Sequence, residues 1–427
     1  MNRTEFYVDI EDTSGNKLGS GPITTALYWR HEFAMDRAGS FECAIPLADR
    51  QALHIETELV LRCFAILPGQ GPTEIGVGVV DNIVYEPTPQ GMIIRVKGLD
   101  EMRYLLDRSV LFLALGGAGS PPTVSHATCI SAIQSYAPPG WTFNPDPNVP
   151  FNEIIYRFRG ESVLNALVQM AQFSKTHFYL SGPQEVTFKS VFTDSGVTCI
   201  NMPAQGHIQA ENVAHISRYS YVRETKDIMT RAYAYGGWYN GVFSDYFIPI
   251  GEVNFGLSMG DPDFWPSPKY AGYTDNRTDN WIERDASVAA YGRRERQIQF
   301  PQVKVTFFTG GYSNAVWRSL CRLIYNRTVA ELDWYGVQAE FYQLQLQNCN
   351  QILKPLEYVR VLLNVVEDNR VVFRVDQNLL ILQSQIEVTE RGVRTTNLEV
   401  TNAERYRRTD PYATISFQNW SFNDQYT

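Results

Sequence analysis

Carboxylates are the most plentiful reactive groups in this chain, 46 Asp and Glu beside 37 Lys and Arg and six His. Hydrolysis of a glycosidic bond needs two of them facing one cleft, and sequence spacing alone pairs none. A zinc centre needs closely spaced ligands such as His-x-x-x-His or Cys-x-x-Cys. Neither pattern occurs: the histidines are scattered, and the six cysteines stand apart at 43, 63, 129, 199, 321 and 349. Gly-x-Ser-x-Gly, Walker and Rossmann patterns are also missing. Gly76-Val77-Gly78 has no third glycine and no helix after it, so it reads as glycine within a bent strand. The Gly- and Pro-rich run 116–122 carries no phosphate-binding lysine. Asp12 to Lys17 lacks the ligand spacing and terminal Glu of a calcium loop and reads as a hairpin turn. No catalytic residue, metal ligand or cofactor is expected. What remains is aromatic: Trp238, Tyr239, Trp265 and Trp281 fall in a loop-like stretch with Pro266 and Pro268. Such rings stack on sugars or anchor protein contacts.

A chain of 427 residues with 44% hydrophobic, 13% aromatic and 19% charged content suits two to four strand-rich domains. A net charge of −9 argues against a dedicated nucleic-acid binder, which needs a basic face. The isolated cysteines read as reduced and mostly buried. No apolar signal core opens the sequence and no run of eighteen apolar residues interrupts it, so a soluble chain without a membrane anchor is expected.

The elements follow from periodicity. Alternating segments at 6–10, 27–33, 41–46, 59–66, 76–85 and 91–97 predict a compact set of strands with a short helical piece near 49–53. Helices are predicted over 123–136 and 162–173, followed by strands at 177–180 and 185–188 around a turn at Gly182-Pro183. Segments 213–222 and 229–237 begin a further strand set. Asp285-Ala-Ser-Val-Ala-Ala-Tyr-Gly-Arg-Arg-Glu295 leads to strands at 297–300 and 303–308. After the Gly310-Gly311 break, Ser313 or Asn314 caps a helix over about 315–332. A long strand, 336–346, and the turn Leu353-Lys-Pro-Leu-Glu-Tyr-Val-Arg-Val361 complete the pattern.

That order resembles phage tail hub proteins, a family that includes baseplate hub and tail-associated proteins. The second hub barrel is similar in its Tyr-Gly-Arg-Arg-Glu segment, single helix and Leu-Lys-Pro-Leu-Glu-Tyr-Val turn, where the family commonly has Pro-Gly-Asp in place of Pro355-Leu356-Glu357. The first is similar in Ala38-Gly-Ser-Phe-Glu-Cys-Ala-Ile-Pro46 and in Gly98, Asp100, Leu105, Leu106 and Arg108. The resemblance implies a mainly β fold with α+β insertions: two tube-protein-like barrels, each with a helix, and a small intermediate α+β domain. The expected division is 1–108 first barrel, 109–206 intermediate domain, 207–237 with 296–405 second split barrel, 238–295 aromatic insertion, and 406–427 tail.

The function it implies is structural: a homotrimeric ring adapting a sixfold tail tube to a threefold tip or spike, in the virion, assembled in the host cytoplasm. Its partners would be a tail tube or distal tail protein and a tip, spike or fibre protein, with DNA passing unbound and no membrane contact. The chain is expected to end before any hydrolase extension and to be no enzyme. A rival reading makes the Trp238, Tyr239, Trp265 and Trp281 stretch a sugar platform of a glycan-degrading enzyme or carbohydrate-binding protein.

Overall fold

The computed structural model describes residues 5–66, 71–89, 91–116, 124–149, 152, 154, 156–201, 212–240, 245–249, 270–276, 279, 281–300, 314–347, 349–368, 370–392 and 394–402. For 236–240, 245–249 and 314–323 only the backbone is described. The expected strand at 303–308, Trp265 and the 406–427 tail lie outside the described residues.

The first six strands are β1 (Glu5–Glu11), β2 (Tyr28–Ala34), β3 (Ser40–Pro46), β4 (Val60–Ile66), β5 (Pro72–Thr88) and β6 (Gly91–Leu99). They pair antiparallel in the order β1-β4-β5-β6-β3-β2. The acidic segment after β1 is a turn: the Asp12 carboxylate accepts from the Ser14 and Asn16 backbone N–H groups at 2.8 and 2.9 Å. Gly76 and Gly78 are glycines because rings cross the strand. A Cβ on Gly78 would come within 1.9 Å of the Phe41 ring, and one on Gly76 within 2.4 Å of His31. Phe41 stacks on the fully buried Trp29 at 5.2 Å, so the first core is built around β2 and β3.

Next come α1 (Arg103–Leu106), β7 (Ser109–Val110), β8 (Ala114–Leu115), α2 (His126–Gln134), β9 (Thr142–Asn144), β10 (Tyr156–Arg157), β11 (Glu161–Ser162), α3 (Val163–Ser174), β12 (His177–Gly182) and β13 (Glu185–Lys189). Ser162 caps α3 through the Asn165 N–H, and Lys175 ends it in the left-handed region. The buried face of α3 includes Leu164, Leu167, Met170 and Ala171, in helical spacing.

The remainder comprises β14 (Thr193–Ile200), β15 (Val213–Glu224), β16 (Arg231–Asn240), β17 (Asp245–Pro249), β18 (Tyr273–Asn276), β19 (Trp281–Arg284), α4 (Asp285–Tyr291), β20 (Glu295–Phe300), α5 (Asn314–Tyr335), β21 (Ala339–Gln347), β22 (Glu357–Glu367), β23 (Arg370–Thr389) and β24 (Arg394–Asn402). Strands β16 to β20 form a five-stranded sheet whose core is shared with α2, α3 and α5. The others pair in a circuit, β23-β22-β14-β15-β21-β24, which closes because β24 returns to β23. Pairing of β2 with β23 fuses this circuit to the first six strands in one twelve-stranded sheet. In the turn before β22, Leu356 is fully buried with φ +66° and donates its N–H to the Ile381 carbonyl at 3.0 Å.

Candidate functional site: a charge-balanced polar sheet face

Because side chains alternate across a strand, register fixes which residues share a face. Lys97, Glu42, Arg30, Glu387, Thr395 and Gln347 lie opposite one another in a single row across β6, β3, β2, β23, β24 and β21. Glu32, Gln385, Asn397, Gln345 and Arg218 make a second row, and Gln383, Glu399, Gln343 and Ser220 a third. The opposite face of the same strands carries Trp29, Phe41, Cys43, Ile386, Leu398 and Leu344, all buried. One continuous polar surface therefore crosses the junction between the two halves.

Most of the charges on it are paired. Arg30 lies between Glu387 and Glu42, with nearest approaches of 2.9 and 3.7 Å. Glu42 also meets Arg95 at 3.5 Å and Lys97 at 3.7 Å, and accepts from the Tyr28 hydroxyl at 2.6 Å. Burial, then the Glu42 bond, pushes the Tyr28 phenol up. Arg37 reaches the face from the end of β2, pairing with Glu32 at 2.6 Å and donating to Gln383 at 3.2 Å. Burial raises the Glu399 carboxyl against the lowering effect of Arg37. Arg30, Arg37, Arg95, Lys97 and Arg218 stand against Glu32, Glu42, Glu86, Glu387 and Glu399, five of each sign.

Towards β21 the face turns from ionic to amide. A trough of about 370 Å³ is lined there by Gln343, Gln345, Gln383, Gln385 and Asn397, with Arg218 and Glu399 at its border. The Asn397 amide donates to Gln385 at 3.2 Å and the Ser220 hydroxyl to Gln343 at 3.2 Å. Such a surface hydrogen-bonds in both directions and holds no net charge. The alternation Gln343-Leu344-Gln345-Leu346-Gln347 is visible in the sequence; its adjacency to Gln385, Asn397 and Arg30 is not.

The aromatic candidates lie elsewhere. Trp238 and Tyr239 sit in β16, opposite Phe247 and Tyr246 of β17. Trp281 is in β19, opposite Tyr233 of β16, and the Arg231 guanidinium covers its ring at 3.7 Å. The carboxylates beside it are engaged: Glu283 pairs with Arg231 at 2.6 Å and Arg293 at 3.7 Å, and Glu295 with Arg231 at 3.2 Å. Among the described residues no group of three or more His, Cys, Asp or Glu could hold a metal, and no helix is long and apolar enough to cross a membrane. Cys43, Cys63, Cys129, Cys199 and Cys349 are buried free thiols.

No family model matches the sequence, and no curated protein does. Solved structures do match. A tail protein from Neisseria meningitidis MC58 superposes with a TM-score of 0.55 at 11% identity, over 97% of this chain and 100% of that one. A 43 kDa tail protein of prophage MuSo2 from Shewanella oneidensis gives 0.55 at 10% identity, over 94% and 99%. A prophage tail protein from Listeria monocytogenes gives 0.53 at 11%, over 93% and 94%. The chain thus has, over nearly its whole length, a mainly β fold similar to that of these phage tail proteins.

Proposed function

We propose that this protein is a structural hub of a phage tail or a related injection device. Three copies form a ring that adapts a sixfold tail tube to a threefold tip, spike or fibre. The two tube-like barrels are assigned to β1–β6 and to the closed circuit of β14, β15 and β21–β24, so that three chains present six barrels. What carries this reading is the end-to-end likeness to tail proteins, 97% of this chain against 100% of the Neisseria protein, rather than to one module of something larger. The polar face supports it: a wall with balanced, mostly paired charge and an amide trough gives a passing polyanion no row of cations to hold it. No catalytic role is assigned. Contacts with a neighbouring subunit or tip protein are assigned to the 238–295 segment through Trp238, Tyr239, Trp265 and Trp281.

Mass photometry and electron microscopy of the purified chain, alone and in tail preparations, test the reading. The expected result is a threefold ring at three times the 48.6 kDa of one chain. A stable monomer that cleaves cell-wall glycan would overturn it in favour of the enzyme. Trp238→Ala with Trp265→Ala tests the contact: tail assembly should fall at least tenfold while the isolated chain melts normally. Normal assembly with early melting would reassign those rings to internal packing.

A further inference from the structure

Arg394 opens β24 with its side chain turned into the body of the molecule, and the residue is 9% exposed. It lies opposite Val388 of β23. Thr396, two residues on and on the same face, lies opposite Ile386 of β23 and Leu346 of β21. Ile386 and Val388 belong to the core of the first six strands, Leu346 and Cys349 to the core of the circuit. The guanidinium therefore sits where the two cores meet. Its Nη2 donates to the Gln351 carbonyl at 2.9 Å. Nε and Nη1 are buried and have no hydrogen-bond partner among the described residues, and neither has the hydroxyl of the 1% exposed Thr396.

No carboxylate stands beside it. Arg394 makes no ion pair among the described residues, and the titratable group that acts on it is the Cys349 thiol. That thiol donates to the same Gln351 carbonyl at 3.4 Å, and burial holds it above the ordinary thiol range despite the guanidinium nearby. It is neutral at neutral pH and supplies no counter-charge. Glu390 and Arg391, in the turn before β24, are exposed to solvent. Burial lowers the Arg394 guanidinium, yet an arginine stays protonated at neutral pH. Water would satisfy the two N–H groups and leave the charge uncompensated; an anion does both. The strand neighbours Val388, Ile386 and Leu346 are apolar, so a phosphate or sulfate would find no donors for its further oxygens. A single-atom monoanion that sheds its water readily matches the site, chloride or bromide before fluoride.

We infer that Arg394 binds a halide ion through Nε and Nη1 at the junction of the two cores, with the Thr396 hydroxyl as the further donor that this face offers. The ion neutralises a buried charge where the two halves are joined, so it acts as a structural ligand of the fold, independent of any role in a tail.

Thermal melting of the full chain in sodium chloride, bromide, fluoride and gluconate, mixed at constant ionic strength, tests this. Each tenfold rise in chloride above its dissociation constant should raise the melting temperature by roughly 2 °C. Bromide should do the same, and fluoride and gluconate should not. Arg394→Met removes the charge and keeps an unbranched side chain of similar reach; it should melt at one temperature in all four salts. A crystal of the wild-type chain grown in bromide keeps the test independent of that variant's folding. An anomalous bromide peak in contact with Nε and Nη1 is expected. Ordered water there without an anomalous signal, melting of the wild-type chain that ignores which anion is present, or an unchanged halide effect in the folded Arg394→Met variant would overturn the inference.

Discussion

Arg30 of β2 and Glu387 of β23, 357 positions apart in sequence, meet at 2.9 Å on the strand pair that joins the first six strands to the closed circuit. Both side chains are partly open to solvent, so screening limits what the pair contributes. Glu387→Gln should cost less than about 1 kcal/mol, and the loss should shrink in high salt. Trp29→Ala, directly beneath, should cost ~3–5 kcal/mol. Urea denaturation of both variants at low and high salt checks this; a loss from Glu387→Gln rivalling that of Trp29→Ala would make the seam ionic rather than apolar.

Leu356 occupies a left-handed position, where the hub family that the sequence resembles commonly has glycine. Glycine would relieve about 1–2 kcal/mol of backbone strain. It would also empty a fully buried leucine site, at a cost of ~2–5 kcal/mol. The larger effect should win: Leu356→Gly is expected to be destabilising, and a higher melting temperature would show that the strain outweighs the packing.

Asp100 accepts from the Gly39 and Met102 backbone N–H groups at 2.7 and 2.9 Å, yet burial pushes its carboxyl up to about 7. A raised folded pKa means the folded chain holds a proton that the unfolded chain releases near the ordinary aspartate value of 3.8. This group's contribution is therefore full below the unfolded pKa and lost as pH rises towards 7. Buried His31, lowered to about 3, and His126, lowered to about 4, act with the opposite sign below their unfolded value of 6.5. Comparison with Asp100→Asn isolates the aspartate: the stability difference, wild type minus variant, should decline between pH 4 and 7. A difference that stays flat across that range would contradict it.

The balance of the polar face can be broken deliberately. Gln345→Lys, Gln385→Lys and Asn397→Lys place three cations side by side in one row. The wild-type chain should not retain duplex DNA in fluorescence anisotropy at 50–200 mM salt. The triple variant should, with each phosphate contact adding ~0.9 to the log–log salt slope. Tight wild-type binding would mean that the face is a DNA-holding surface.

Local pattern made much of this legible. The helix expected over about 315–332 is α5, Asn314–Tyr335, and the helix expected over 162–173 is α3, Val163–Ser174, because an apolar stripe acts within a few residues. The α4 segment, Asp285–Tyr291, is a helix that the sequence pattern does not reveal: seven residues with a single buried side chain, Ser287, carry too little periodicity. Closure of the circuit was equally invisible. It rests on parallel pairing of β14 with β22 and β15, between segments up to about 160 residues apart, and no local alternation encodes such a partner. The polar face shares that property, since Gln345, Asn397 and Gln385 become neighbours only through three separate strands.

Strand β23 has a further consequence. Its Leu379 and Ile381 fill the core of the circuit, while Ile386 and Val388, a few residues on, fill the core of the first six strands. A gene cut between the two halves would leave one fragment without part of its interior wherever the break fell. Neither half is an exchangeable cassette. Recombination between related genes would preserve this chain only by trading it whole, or by swapping segments that lie away from β23.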